Sequence, residues 1–226
     1  MTRSKSLTRS TVGKKAVMAV TGLMLVGFLF FHALGNMKVF FGGDAFDHYS
    51  HWLRTVLTPI LPHEGFLWLA RVGLLAAVIG HIWSATSLAL RAKRARPVKY
   101  AHRKPVQGSY AARTMRWGGV IVVLFVIYHI LDLTTGHLNP NPDGGPFARL
   151  SADFAPSRWY VTAFYVLAVV TVGFHLRHGL WSAIQTLGRS NERREKFLKG
   201  VALGFSVLLC AMFLSVPFAV VTGLVK

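Results

Sequence analysis

The sequence predicts an all-α integral membrane protein, a bundle of five transmembrane helices. Of its 226 residues 53% are hydrophobic, with a mean hydropathy of +0.44, which is too apolar for an ordinary soluble domain. Five apolar runs are each long enough to cross a hydrocarbon core of about 30 Å, which takes about 20 residues. The positive charges cluster in alternate connecting segments.

The chain reads as one transmembrane domain over residues 1–226, and its helices follow in order. Met1 to Lys15 is basic (Arg3, Lys5, Arg9, Lys14, Lys15) and leads into an apolar stretch over about residues 16–41. That stretch is too long for a leader peptide and lacks a small-residue cleavage site, so it reads as a retained first helix. The other spans fall at about residues 66–90, 117–135, 159–187 and 201–224. Pro217 is expected to kink the fifth near its end. Asn139 to Pro146 is rich in turn formers and reads as an irregular loop.

Loop charge sets the expected orientation. Arg91–Arg116 carries nine basic residues and no acid, and Gly188–Lys199 carries five against Glu192 and Glu195. These belong inside with the basic amino terminus. Gly42–Gly65 has Arg54 against Asp44, Asp47 and Glu64, and Gly136–Arg158 has Arg149 and Arg158 against Asp143 and Asp153. These face outward. The net charge of +18 is therefore a topology signal, with anionic lipid or a cytoplasmic partner as its contact rather than nucleic acid. The expected location is a bacterial cytoplasmic membrane, with the amino terminus cytoplasmic and the carboxyl terminus outside.

The single cysteine, Cys210, excludes disulfides, thiolate iron–sulfur clusters and covalent CxxCH haem. A redox centre must then be held by histidine. The first four spans supply His32, His81, His129, and His175 with His178, while the fifth has none. Ionisable side chains at membrane depth are costly and mark functional sites. At about 1.5 Å per residue, His32 and His129 fall in the outer half and His81 and His175 in the inner half. Two depth-matched imidazole pairs without carboxylates suit two b haems, each iron taking one axial nitrogen from each of two helices. Zinc takes four N, S or O ligands, and two per level are too few.

Several stretches resemble a known family: Lys15–Gly22 (KAVMAVTG), Phe31–Asn36 (FHALGN), Gly80-His81, Tyr128-His129 and Phe174–Trp181 (FHLRHGLW). The chain is similar along most of its length to the di-haem cytochrome b anchor of succinate dehydrogenase and quinol:fumarate reductase, in its single-subunit, five-helix form. That resemblance implies haem ligation by His32 and His129 (outer) and by His81 and His175 (inner). The family ligand follows Phe and precedes Gly-Leu-Trp by a turn, which favours His175 over His178. It also implies a flavoprotein subunit and an iron–sulfur subunit as partners, a possible higher oligomer, and electron transfer between succinate or fumarate and a membrane quinone, here expected to be menaquinone, within the respiratory chain and tricarboxylic acid cycle. Dicarboxylate chemistry would be done by the partner.

Other polar residues have expected places around this core. His178, Arg177, Arg113 and Arg116 are candidate partners of haem propionates, with lipid phosphate or backbone as the alternative. In Phe46–Trp52, Tyr49, His51 and Trp52 mix flat apolar walls with proton-carrying groups, as a quinone head group requires, though an interfacial aromatic helix reads the same way. Asp132, three residues after His129, is a candidate for a proton route or marks the helix end. The side on which quinone binds stays open. Two other functions also stay open: a di-haem anchor for a hydrogenase or formate dehydrogenase, and a transporter relaying protons through buried histidines.

Overall fold

The computed structural model describes residues 10–95, 110–188 and 191–225, with the side chains of 110–114 and 192 excepted. The described residues are helical or irregular, with no strand among them. Helix α1 (Thr11–Asn36) runs on as a short 3-10 turn over Met37–Phe41. Then come α2 (Gly43–Thr55), α3 (Gly65–Arg94), and α4 (Tyr110–His129), which ends in a π-helical turn over Ile130–Thr134. They are followed by α5 (Pro146–Asp153), a 3-10 turn over Pro156–Arg158, α6 (Trp159–Leu187) and α7 (Glu192–Val221). Among these, α1, α3, α4, α6 and α7 with their flanking turns are long and apolar enough to cross a membrane. The chain is a multi-pass membrane protein by that measure.

Helices α1 and α6 form the centre of the bundle. Helix α1 packs on α3, α6 and α7, and α6 packs on α4 and α7. The start of α1, the end of α3, the end of α6 and the start of α7 share one end, here called the basic end. The opposite loop end carries α2 and α5, two short amphipathic helices packed on each other. Asp47 of α2 accepts a hydrogen bond from Phe147 N at 2.8 Å and so caps the first turn of α5.

Helix limits exceed the apolar runs because apolarity delimits a membrane segment and not a helix. Ser10 Oγ accepts from Gly13 N at 2.8 Å, and α1 therefore includes Lys14 and Lys15. Asn191 Oδ1 accepts from Arg194 N at 2.8 Å, and α7 starts at Glu192, well before the expected residue 201, because Glu, Arg and Lys are good helix formers.

Outward faces are apolar, as lipid demands: Phe31, Leu69, Val72, Trp117 and Leu167 are all exposed. Without a hydrophobic drive between helices in lipid, close approach of small residues holds the bundle. A Cβ on Gly173 would lie 2.5 Å from Cys210 Sγ, so only glycine lets α6 and α7 meet there. Ser206 Oγ then donates to Gly173 O at 2.6 Å. Val39, Leu150, Phe154, Val161, Tyr165 and Val216 form the loop-end core.

Candidate functional site

The four interior histidines come together as two cross-helix pairs. His32 of α1 faces His129 of α4 with ring centroids 5.9 Å apart, and His81 of α3 faces His175 of α6 at 6.2 Å. Neither α1 with α4 nor α3 with α6 is a packed helix pair, so each pair of rings reaches across a gap between backbones. Two trans imidazoles on one metal ion, each bonded at about 2.0 Å, have ring centres about 6 Å apart. Both separations fit that arrangement. No group of three or more His, Cys, Asp or Glu side chains able to hold a bare ion occurs among the described residues. An ion at either pair would therefore take its other ligands from a non-protein group, as a porphyrin supplies four.

Neighbouring groups orient two of the rings. His81 Nδ1 lies 3.1 Å from Met18 O, to which it donates, and this leaves Nε2 with its lone pair. His129 Nδ1 lies 3.4 Å from Tyr165 Oη. Because Tyr165 donates to Asp132 Oδ2 at 3.0 Å, its oxygen is the acceptor for His129. Phe28 stacks on His32 with centroids 5.3 Å apart, and Phe213 and Phe125 flank His32 and His129. The basic-end pair is lined by small residues: a Cβ on Gly22 would lie 3.2 Å from His81 Cε1, and one on Gly119 3.8 Å from His175 Cε1. Two buried polar atoms at this end have no partner. They are His175 Nδ1 and Ser84 Oγ, the latter one turn along α3 from His81. Lys14 is buried nearby with its ammonium over Trp83 at 5.0 Å. A hydroxyl and an ammonium at this level suit a carboxylate such as a haem propionate.

The two levels are separated consistently on two helices. On α1, Gly22 marks the His81 level and His32 follows ten residues later, and on α4, Gly119 marks the His175 level and His129 follows ten residues later. At about 1.5 Å per residue both give about 15 Å, half of a hydrocarbon core of about 30 Å.

Other expected site residues divide between the ends. His178 is half-buried and packs edge-on against Trp181 at 5.8 Å. Arg177 and Arg116 are exposed, and the Arg113 side chain lies outside the described residues. At the loop end, Tyr49 and Trp52 stack with centroids 5.8 Å apart and line a cleft of about 600 Å³. His51 is exposed and does not line it; Lys38, Phe41 and His48 do. Gly35, one turn beyond His32, admits Tyr49 against α1, since a Cβ there would lie 2.9 Å from Tyr49 Cε1.

Asp132 is fully buried and belongs to a network rather than to the cleft. The π-turn, closed by Thr135 N donating to Ile130 O at 2.8 Å, sets its direction. Asn139 Nδ2 donates to Asp132 Oδ1 at 3.0 Å. Asp153 is fully buried beside it and accepts from Arg158 at 3.1 Å. Burial, with Asp132 adjoining, pushes the Asp153 carboxyl up to about 7 despite Arg158. In the sequence Asp153 and Arg158 read as loop charges, His48 stands out only as part of the Phe46–Trp52 stretch, and nothing marks Tyr165 or Lys38 as site residues. Only the folding of α2 and α5 back onto the bundle assembles them. Compared with family models, with curated proteins and with solved structures, the chain matches none.

Proposed function

We propose that the chain is the membrane anchor and electron-transfer subunit of a succinate:quinone oxidoreductase, holding one b haem between His32 and His129 and another between His81 and His175. The observation that carries this reading is the pair of cross-helix imidazole separations, 5.9 and 6.2 Å, each spanning a gap between helices that do not pack. When bound, haem supplies reversible one-electron chemistry, which at two levels would link an iron–sulfur subunit at the basic end to quinone.

The chain's own residues do the rest. Four imidazoles fix position and orientation, with Met18 O and Tyr165 holding two of them in the tautomer that presents Nε2. Phe28, Phe125 and Phe213 keep the loop-end level apolar. Basic residues at the ends of α3 and α7, including Arg94, Arg193 and Lys196, offer charge to a partner or to anionic lipid. The cleft beside Tyr49 favours quinone, read as menaquinone, at the loop end: Tyr49 and Trp52 wall a flat ring, while Lys38, His48 and the Tyr49 hydroxyl can donate to its carbonyls. A flavoprotein subunit would carry the dicarboxylate chemistry, on the cytoplasmic side if the basic end is inside as the positive loops imply.

Purification of the tagged chain from its native membrane tests both parts. About two haems per chain and a co-purifying flavin-bearing subunit with succinate:quinone activity are expected. Haem with a flavin-free hydrogenase or formate dehydrogenase would overturn the succinate assignment alone. Absence of haem would overturn the whole reading and favour a proton relay.

A further inference from the structure

A second cleft, of about 260 Å³, opens at the basic end between the last turns of α6 and the first turns of α7. Trp181, Ile184 and Gln185 of α6 and Arg194, Glu195 and Leu198 of α7 line it, so it belongs to neither histidine pair. Helix α6 fixes its depth. Trp159, 70% exposed, and Trp181 lie 22 residues apart on that helix, about 33 Å at about 1.5 Å per residue, against a hydrocarbon core of about 30 Å. Tryptophans so spaced mark the two membrane interfaces, which puts the cleft at the depth of lipid head groups.

The lining divides by chemistry along the membrane normal. Because α6 runs toward the basic end and α7 away from it, Trp181 and Leu198 lie on the membrane side, and Gln185 and Arg194 on the water side. Trp181 is held by His178 edge-on at 5.8 Å and by the Lys199 ammonium over its ring at 4.8 Å. Lys199 also donates to Glu195 Oε1 at 2.6 Å, so the acid that lines the cleft is neutralised from within. Arg194 is exposed and has no ion pair among the described residues, which leaves one guanidinium uncompensated at the rim.

We propose that this cleft binds the head group of an anionic glycerophospholipid from the leaflet at the basic end. The lipid phosphate pairs with the Arg194 guanidinium, whose fork of donors suits two phosphate oxygens. The Gln185 amide and the Trp181 indole N–H are donors for the glycerol and ester oxygens, and the acyl chains leave past Leu198 into the bilayer. Free phosphate would satisfy Arg194 but leave the Trp181 and Leu198 walls wet. A zwitterionic lipid would bring an ammonium to a carboxylate that Lys199 already occupies, whereas a head group carrying only negative charge meets Arg194 with Arg193 beside it. The proposal is independent of the two-haem reading.

Titration of the full chain, delipidated in neutral detergent, with phosphatidylglycerol, phosphatidylcholine and inorganic phosphate tests the site, with binding read by native mass spectrometry and by the unfolding midpoint. Phosphatidylglycerol is expected to bind more tightly than phosphatidylcholine, and inorganic phosphate not to displace it. Arg194→Gln should weaken phosphatidylglycerol about fivefold or more, while Lys93→Gln, at the end of α3, leaves it unchanged. Glu195→Gln removes the acid of the cleft and releases Lys199, so it should tighten binding, a gain that damage to the fold cannot mimic. Equal binding of the two lipids, equal weakening in Lys93→Gln, or no gain in Glu195→Gln overturns the site in favour of a diffuse basic surface. Displacement by inorganic phosphate overturns the lipid as occupant. Phosphatidylglycerol that co-purifies with the parent chain from native membranes and is lost in Arg194→Gln supports the proposal. Loss of a co-purifying protein in that variant, with bound lipid unchanged, overturns it in favour of a soluble subunit.

Discussion

At the basic end His81 is held by a peptide carbonyl, Met18 O at 3.1 Å, whereas at the loop end His129 is held by a phenol bonded to a buried carboxylate. The imidazole separations at the two levels are nearly the same, 6.2 and 5.9 Å. Their supports differ in kind. A backbone carbonyl cannot titrate, whereas the support of His129 runs through a phenol to the buried Asp132 carboxyl. The two imidazole pairs are thus alike in separation and unlike in support, and the one backed by a buried carboxyl lies at the end that also has the aromatic cleft.

The comparison breaks most severely through Asp132→Ala. That change strands the Tyr165 hydroxyl in the core, at about 1–3 kcal/mol for an unsatisfied donor, and leaves the Asn139 amide only its bond to Arg149 O. Resistance to SDS unfolding should fall accordingly, and haem loss on heating should begin at the loop end. Next is Gly35→Val, which drives a side chain into Tyr49 and costs about 1–3 kcal/mol by overpacking. Quinone reduction should drop about tenfold or more with both haems retained, since about 1.4 kcal/mol is a factor of ten in rate.

A gentler probe is pH. The Asp153 carboxyl titrates at about 7 in the folded protein against an ordinary value of 3.8. Between these values the folded state keeps a proton that the unfolded state has lost, so stability falls as pH rises across the window and levels off above about 7. Asp153→Asn should flatten that fall, as read by unfolding midpoints across the same window. The smallest effect is expected at the basic end. Thr21→Val removes a 3.4 Å contact to His81 Nδ1 together with the hydroxyl's bond to Val17 O, while Met18 O still holds the ring. It should cost no more than about 0.5–1.5 kcal/mol and leave the basic-end haem spectrum unchanged.

Much of the histidine framework was legible in the sequence because a polar residue in a long apolar run stands out, and because helical rise converts sequence position into depth. Counting residues pairs His32 with His129 and His81 with His175, and ring contacts join the same partners in the fold. The charged segment before α7 was read as a loop because hydropathy marks lipid contact and not helix limits. Asp153, Arg158 and Tyr165 carried no local signal: the first two lie in a polar segment that looks solvated, and their burial depends on α5 folding back and on one π-turn. His48 and Lys38 likewise meet only because α2 returns over the 3-10 turn after α1.

The most direct test is a reduced-minus-oxidised spectrum with haem-to-protein ratio, taken on the parent protein, His81→Ala and His129→Ala. Two b haems in the parent, and one in each variant with a different spectral component lost, is the predicted result. A parent protein without haem, or two variants that lose the same component, would contradict the assignment of two independent histidine levels.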